Sequence, residues 1–229
     1  MVAVIGDIHG CFFTLQEIVE KIKNKYADIP IYCVGDLVDR GNFSYEVVEF
    51  VKKEKIKFTP GNHDLMFYYF VKKPRTEMAD SWLYNGYEQT MASYEEHFEE
   101  LREHIVFLSS APLFFNLSDC FISHAGISVH YKKQLGSNPL NDIEKLEEII
   151  TADVTNTHSI IWTREELMNI GKLQIVGHTR QSEIKFVEEN NALYIDTSIY
   201  TGNKLSAVIV ENNKVIDEIA VPTDKKDIA

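Results

Sequence analysis

The chain has 229 residues, with 23 lysines and arginines against 35 aspartates and glutamates, for a formal charge of -12 at pH 7. Apolar residues make up 45% and charged residues 25%, an ordinary globular balance that excludes collagen-like, disordered and disulfide-stapled chains. The acidity argues against a broad electrostatic grip on nucleic acid, which needs a basic face.

At this length one domain, residues 1–229, is expected, with a helical cap-like segment at about 74–110. Val2 to Gly6 is a short apolar run ending in Gly-Asp. After it, Phe12, Leu15, Ile18, Val19 and Ile22 recur at helical spacing. The pattern repeats with a strand over Ile31–Val34, a helix carrying Val47, Val48 and Val51, and a third strand over Ile56–Thr59. Successive strand–helix units predict a parallel sheet with right-handed crossovers. Residues 74 to 110 break the rhythm. Tyr87, Met91, Tyr94, Phe98, Leu101, Ile105 and Leu108 form an apolar helical stripe, and Ser93 with Glu96 reads as a capping box dividing it.

Strand character returns at 113–117, 120–123, 173–177, 184–187, 192–195 and 207–210. Glu211-Asn212-Asn213-Lys214 reads as a hairpin turn before a last strand, Val215 to Val221. A short helix carries Ile143, Leu146, Ile149 and Ile150, and Asp224 to Ala229 is expected to fray. The second half is therefore expected to be antiparallel or mixed.

Cys11, Cys33 and Cys120 form neither a C-x-x-C clip nor an even disulfide set. They read as small buried thiols in a reducing, cytoplasmic setting. No apolar run is long enough to span a bilayer, so no membrane partner is expected. The first chemical motif starts at Gly6, which argues against a cleaved leader.

Five strands end in residues suited to metal or phosphate chemistry. The first gives Asp7 and His9, and the second gives Asp36, Asp39 and Arg40. The third gives Asn62, His63 and Asp64, and later strands give His124 and His178. In open α/β sheets the carboxyl ends of strands form the ligand crevice, so these residues can meet there. One such turn has a bland explanation, because Gly and Asp suit turns anyway. Five together do not. His97 and His104, one heptad apart among glutamates, read as solvent-facing, and His130 and His158 are assigned no role. Carboxylate, carboxamide and imidazole without thiolate suit Mn, Fe or Zn. Six such ligands accommodate two ions sharing a bridging carboxylate.

At this point the motifs match a family. Gly6-Asp7-Ile8-His9-Gly10, Gly35-Asp36-Leu37-Val38-Asp39-Arg40-Gly41, Gly61-Asn62-His63-Asp64 and Gly177-His178-Thr179 resemble the calcineurin-like metallophosphoesterases. More narrowly they resemble the PPP-type phosphoprotein phosphatases. Trp82-Leu83-Tyr84-Asn85-Gly86, Trp162-Thr163-Arg164-Glu165 and Tyr194-Ile195-Asp196-Thr197 resemble the bacterial and bacteriophage lambda branch, which also holds the diadenosine tetraphosphate hydrolases.

The resemblance implies an α/β, four-layer fold, with central mixed β-sheets flanked by helices and a dinuclear metal site at the strand carboxyl ends. It implies two divalent ions, Mn first and Fe or Zn otherwise. Asp7, His9 and Asp36 would hold one ion. Asp36, Asn62, His124 and His178 would hold the other. His63 would be the general acid, oriented by Asp39, and Arg40 and Arg164 would bind phosphoryl oxygens. The implied activity is phosphoester hydrolysis by direct attack of a metal-bridging hydroxide.

A Ser/Thr-type protein phosphatase acting on a phosphorylated protein or peptide is the leading expectation. The alternative is a bis(5'-nucleosyl)-tetraphosphatase with a nucleotide substrate, and a non-catalytic metal-binding scaffold ranks below both. Three departures bear on substrate choice: Asp64 where the family has Glu, His124-Ala125-Gly126 where His-Gly-Gly is common, and Tyr87 where a second glycine is common. Tyr87 is expected to narrow the site mouth. With ions bound the site would carry a charge of about +3, so the overall acidity does not exclude phosphate substrates.

Overall fold

The computed structural model describes residues 1–228. Its first third follows the apolar spacing. Strands β1 (Val2–Ile5), β2 (Ile31–Cys33) and β3 (Lys57–Phe58) alternate with helices α1 (Phe12–Lys25), α2 (Ser44–Glu54) and α3 (Asn62–Lys72). β1 pairs with β2, and β2 with β3, both in parallel. Parallel neighbours need a crossover, and α1 and α2 supply it.

The expected helical stripe is cut into α4 (Glu77–Trp82), α5 (Tyr87–Ser93) and α6 (Leu101–Ser109). Tyr94, Ile105 and Leu108 are buried, whereas Met91 and Phe98 face solvent. Ser93 does not start a helix. It ends α5, and its hydroxyl accepts the Tyr45 N–H and donates to Glu46. Turns over 94–100 replace the expected capping box.

The remaining elements are β4 (Phe114–Asn116), β5 (Phe121–Ser123), α7 (Lys132–Leu135), α8 (Ile143–Ala152), β6 (Gln174–Val176), β7 (Lys185–Val187), β8 (Ala192–Tyr194), β9 (Lys204–Glu211) and β10 (Lys214–Pro222). They complete two five-stranded sheets, ordered β10-β9-β1-β2-β3 and β4-β5-β6-β8-β7. Both are mixed. In the second sheet β5, β6 and β8 run parallel, and antiparallel β4 and β7 form the edges. Asn212 and Asn213, at φ 51° and 60°, make the β9–β10 turn. Two left-handed residues give a two-residue turn the twist of its strands.

Strand alternation explains the layers. Val2 and Val4 face the second sheet, packing with Ile122, Ile175 and Ile195. Ala3 and Ile5 face the other way, onto Leu15, Ile18 and Val48 of the helices. A third cluster covers the far face of the second sheet, where Phe121 packs with Leu146 and Ile150 of α8. Helices, sheet, sheet and helix therefore stack in four layers.

The C-terminal segment is docked instead of frayed. α1 has no side-chain cap of its own. The buried Asp227 carboxylate supplies one, accepting the Phe13 and Thr14 N–H groups at 3.0 and 2.9 Å and the Thr14 hydroxyl at 2.6 Å. A helix start offers unpaired N–H groups and a positive dipole end. A distant aspartate meets that demand as well as a local one. Ala229, the last residue of the expected tail, lies outside the described residues.

Candidate active site

The site lies where both sheets present their strand carboxyl ends. Asp7 follows β1, Asp36 follows β2, Asn62 and His63 start α3 just past β3, His124 follows β5, and His178 follows β6. All six are buried or nearly so. His9, Asp36, Asp39, Arg40 and His178 have left-handed backbones, with φ between 46° and 76°. Such conformations cost ~1–3 kcal/mol each in non-glycine residues and persist where the surroundings over-determine them. Two glycines make the close approach possible. A Cβ on Gly177 would run into Asp7 Oδ1, and one on Gly61 into Asp36 Oδ1.

Three imidazoles have the orientation a metal ligand needs. His9 Nδ1 lies 3.2 Å from the Val38 carbonyl, His124 Nδ1 2.8 Å from the Val34 carbonyl, and His178 Nε2 3.1 Å from the Trp162 carbonyl. A carbonyl can only accept, so each ring spends its N–H there and turns its lone pair inward. Burial also pushes all three rings below their ordinary pKa, which keeps them neutral. The lone pairs of His124 and His178 converge on oxygens, whereas that of His9 also accepts from Arg40 Nη1 at 2.9 Å. Asp36 Oδ2 sits 3.6 Å from both His9 Nε2 and His124 Nε2. Asn62 Oδ1 sits 2.8 Å from His178 Nδ1 and 3.2 Å from His124 Nε2.

Acceptors facing acceptors call for a shared cation. Two of the carboxylates, Asp7 and Asp196, say the same. Burial, then the charges of Asp196 and Asp36, pushes Asp7 well above the carboxylate range. Burial also pushes Asp196 up to about 6. Repelling buried acids with inward-facing lone pairs fit divalent ions in an O/N environment. His9, Asp36 and His63 offer ligand atoms within 4.8 Å of one another, as do Asp7, Asp36 and His124. Asp36 is common to both groups.

His63 points Nδ1 at Asp39 Oδ2, 2.7 Å away. Asp39 also accepts from Trp82 Nε1 at 2.8 and 3.0 Å and from the Thr90 hydroxyl at 2.7 Å. Trp82 and Thr90 belong to the helical segment, which therefore buttresses the site. The backbone N–H of Arg40 is held by the Gly86 carbonyl. Tyr87 does not narrow the mouth. Its ring packs against Trp82, 5.6 Å between centroids. Asp64 accepts the Leu37 and Gly61 N–H groups at 2.9 Å, so the shorter carboxylate still ties two motif loops together.

The cavity over these residues is about 180 Å³. Arg40 and Arg164 line it, and so do five residues that the strand-end reasoning did not assign: Asn85, Trp162, Arg180, Asp196 and Tyr200. Arg40 lies over the Tyr200 ring at 4.2 Å, and Arg180 donates to the Tyr200 hydroxyl. Arg180 and Asp196 each carried a usable signal, since both sit just past a strand that ends at the site.

Two histidine expectations fail. His104 is fully buried, between the Tyr94 hydroxyl at 2.8 Å and Glu49 at 2.6 Å. His97 is half-buried, stacked 3.7 Å from the Tyr45 ring. The helical segment folds back on α2, so the heptad face expected in solvent is covered. Cys11, Cys33 and Cys120 are buried and unpaired. Among the described residues no helix is long and apolar enough to cross a membrane.

Comparison with known proteins gives this geometry a family context. The sequence pattern of the calcineurin-like phosphoesterases matches residues 1–215. The chain is 30% identical to the asymmetrical bis(5'-nucleosyl)-tetraphosphatase PrpE of Bacillus cereus strain Q1, over 90% of this chain and 88% of that one. It is 30% identical to the corresponding protein of Anoxybacillus flavithermus, with the same coverage. Among solved structures it resembles the cold-active protein-tyrosine phosphatase of a psychrophilic Shewanella species. The TM-score is 0.60 at 18% identity, covering 97% of this chain and 80% of that one.

Proposed function

The chain belongs to the calcineurin-like phosphoesterase family and is a phosphoester hydrolase of the dinuclear divalent-metal type, and we propose that its substrates are dinucleoside polyphosphates. This reverses the sequence-based preference for phosphoproteins. The observation that carries it is the likeness to bis(5'-nucleosyl)-tetraphosphatases over nearly the full length of both chains. The likeness to the tyrosine phosphatase, at 18% identity, speaks for the fold alone.

In this reading Asp7, His9 and Asp36 hold one ion, and Asp36, Asn62, His124 and His178 hold the other. Bound there, the ions supply Lewis-acid neutralisation of the phosphoryl oxygens and an acidified water as nucleophile. The chain's own residues do the rest. Arg40 and Arg164 grip the non-bridging oxygens, a task suited to a planar guanidinium fork. His63 hands its Nε2 proton to the departing oxygen. Asp39, bonded to Nδ1, fixes the tautomer and balances the charge of the ring. Water cleaves one P–O–P bond, and the proton from His63 returns from solvent.

The test is a side-by-side rate comparison on diadenosine tetraphosphate and a phosphoserine peptide, with products separated by chromatography. We expect kcat/KM to favour the tetraphosphate at least tenfold, with AMP and ATP as products. A preference for the peptide would restore the protein-phosphatase reading.

A further inference from the structure

A second cavity, about 140 Å³, opens beside the first. The two share walls. Trp162 and Arg164 line the first, and Thr163, Arg164 and Glu165 the second. On the opposite side the loop after β6 alternates: His178 and Arg180 face the first cavity, Thr179 and Gln181 the second. Arg164 belongs to both. The far wall comes from the sheet edge, where β7 and β8 pair Lys185 directly with Tyr194.

The charges in this wall are unspent. Among the described residues, neither Arg164 nor Lys185 has a carboxylate within 4.0 Å, although the chain carries twelve more acids than basic residues. Arg180 donates to a tyrosine hydroxyl and likewise has no carboxylate partner. The one acid in the second cavity, Glu165, is engaged elsewhere, accepting from Ser128 at 2.7 Å and lying 2.7 Å from His158 Nδ1. Cations therefore run from the candidate metal cluster through Arg164 to Lys185, with threonine and glutamine side chains between them. A single phosphoryl group over the metal ligands leaves Lys185 with nothing to bind. A linear chain of phosphates does not.

We infer that the second cavity seats the phosphate groups beyond the scissile one, with Arg164 bridging the two cavities and Lys185 selecting for a polyphosphate over a monoester. The inference deepens the proposed function and rests on it for the natural substrate, but the subsite can be probed independently. The substrate class is a nucleoside-capped linear polyphosphate whose outer phosphates lie along the 178–181 loop.

The test uses the metal-loaded enzyme and the variants Lys185→Ala and Lys185→Arg. Hydrolysis of p-nitrophenyl phosphate, which has no outer phosphates, should be unchanged in both. Inhibition of that hydrolysis by inorganic tripolyphosphate, at fixed free divalent ion, should weaken about tenfold in Lys185→Ala, the worth of one charge-assisted contact. Orthophosphate inhibition should not change, and Lys185→Arg should restore tripolyphosphate binding. KM for diadenosine tetraphosphate should rise in parallel. Equal tripolyphosphate inhibition of wild type and Lys185→Ala would overturn the subsite, whatever the tetraphosphate rates. An enzyme inert on the tetraphosphate whose tripolyphosphate inhibition still depends on Lys185 would overturn the proposed substrate and uphold the subsite.

Discussion

Two buried histidines in this protein make nearly the same bond. His63 meets Asp39 at 2.7 Å, and His104 meets Glu49 at 2.6 Å. Their other nitrogens differ. His63 lines the cavity and its Nε2 has no protein partner among the described residues, whereas His104 Nδ1 is taken by the Tyr94 hydroxyl. Tyr45 and Tyr94 wall in His104, with ring centroids 5.3 and 5.7 Å from it. A histidine–carboxylate pair becomes chemistry when one nitrogen is left facing a substrate space, and structure when both are spent.

Metal removal should separate the two pairs most sharply. Dialysis against a chelator is expected to abolish phosphoester hydrolysis, leave the far-ultraviolet dichroism unchanged, and be reversed by divalent ions. The His104 pair should not respond, and its exchange-protected ring proton should persist in the metal-free protein.

Next in size is His63→Asn. A general acid contributes ~10²–10⁴-fold where the leaving oxygen is basic. On a phosphoserine peptide we expect about that loss in kcat. On diadenosine tetraphosphate the leaving group is itself a phosphate, with a pKa near ~6, and needs less help. There the loss should be about tenfold, with metal content unchanged. Equal losses on both substrates would remove the acid role. Trp82→Phe, which deletes two of the bonds to Asp39, should lower kcat on the peptide about tenfold with KM unchanged.

His104→Gln should act on stability instead. Removing one partner of a buried network costs ~1–3 kcal/mol, read by urea denaturation, with kcat unchanged. The pH dependence has a definite sign. Burial holds the His104 pKa below its ordinary 6.5, only partly offset by Glu49. Between those two pKa values the unfolded chain binds a proton that the folded chain refuses. Stability from this residue is therefore present above about pH 6.5 and falls as the pH drops below it. His104→Gln should flatten that slope. An unchanged slope would mean that another group carries it.

The smallest effect expected is at the tail. Asp227→Ala should cost ~1–2 kcal/mol, the worth of a helix cap. Activity at saturating substrate should hold, since Asp227 lies at the start of α1 and outside both cavities.

What was legible in sequence was local. A strand that ends in Gly-Asp or Gly-Asn-His advertises candidate chemistry, so Asp7, His9, Asp36, Asn62, His63, His124 and His178 were readable as candidates one motif at a time. That they meet followed from the rule that parallel strands share a carboxyl edge. Alternation and crossovers made the parallel sheet of the first third readable, and the four layers were implied by the family resemblance. The hairpin at Asn212-Asn213 was readable because its two residues tolerate a left-handed backbone.

What the tertiary structure decided was every partnership between distant segments. The periodicity of 74–110 announced helices but not that Trp82 and Thr90 would hold Asp39, nor that His104 would turn inward onto α2. Asp227 looked like a charged tail until α1, more than 200 residues away, was found without a cap. The local pattern gave Arg180 and Lys185 no role; the loop after β6 and the β7–β8 edge place them beside adjoining cavities. The reason is physical. Side-chain chemistry and strand or helix period are properties of a few neighbouring residues. Burial, tautomer and cavity shape belong to contacts whose two halves lie far apart in the chain, and folding alone brings them together.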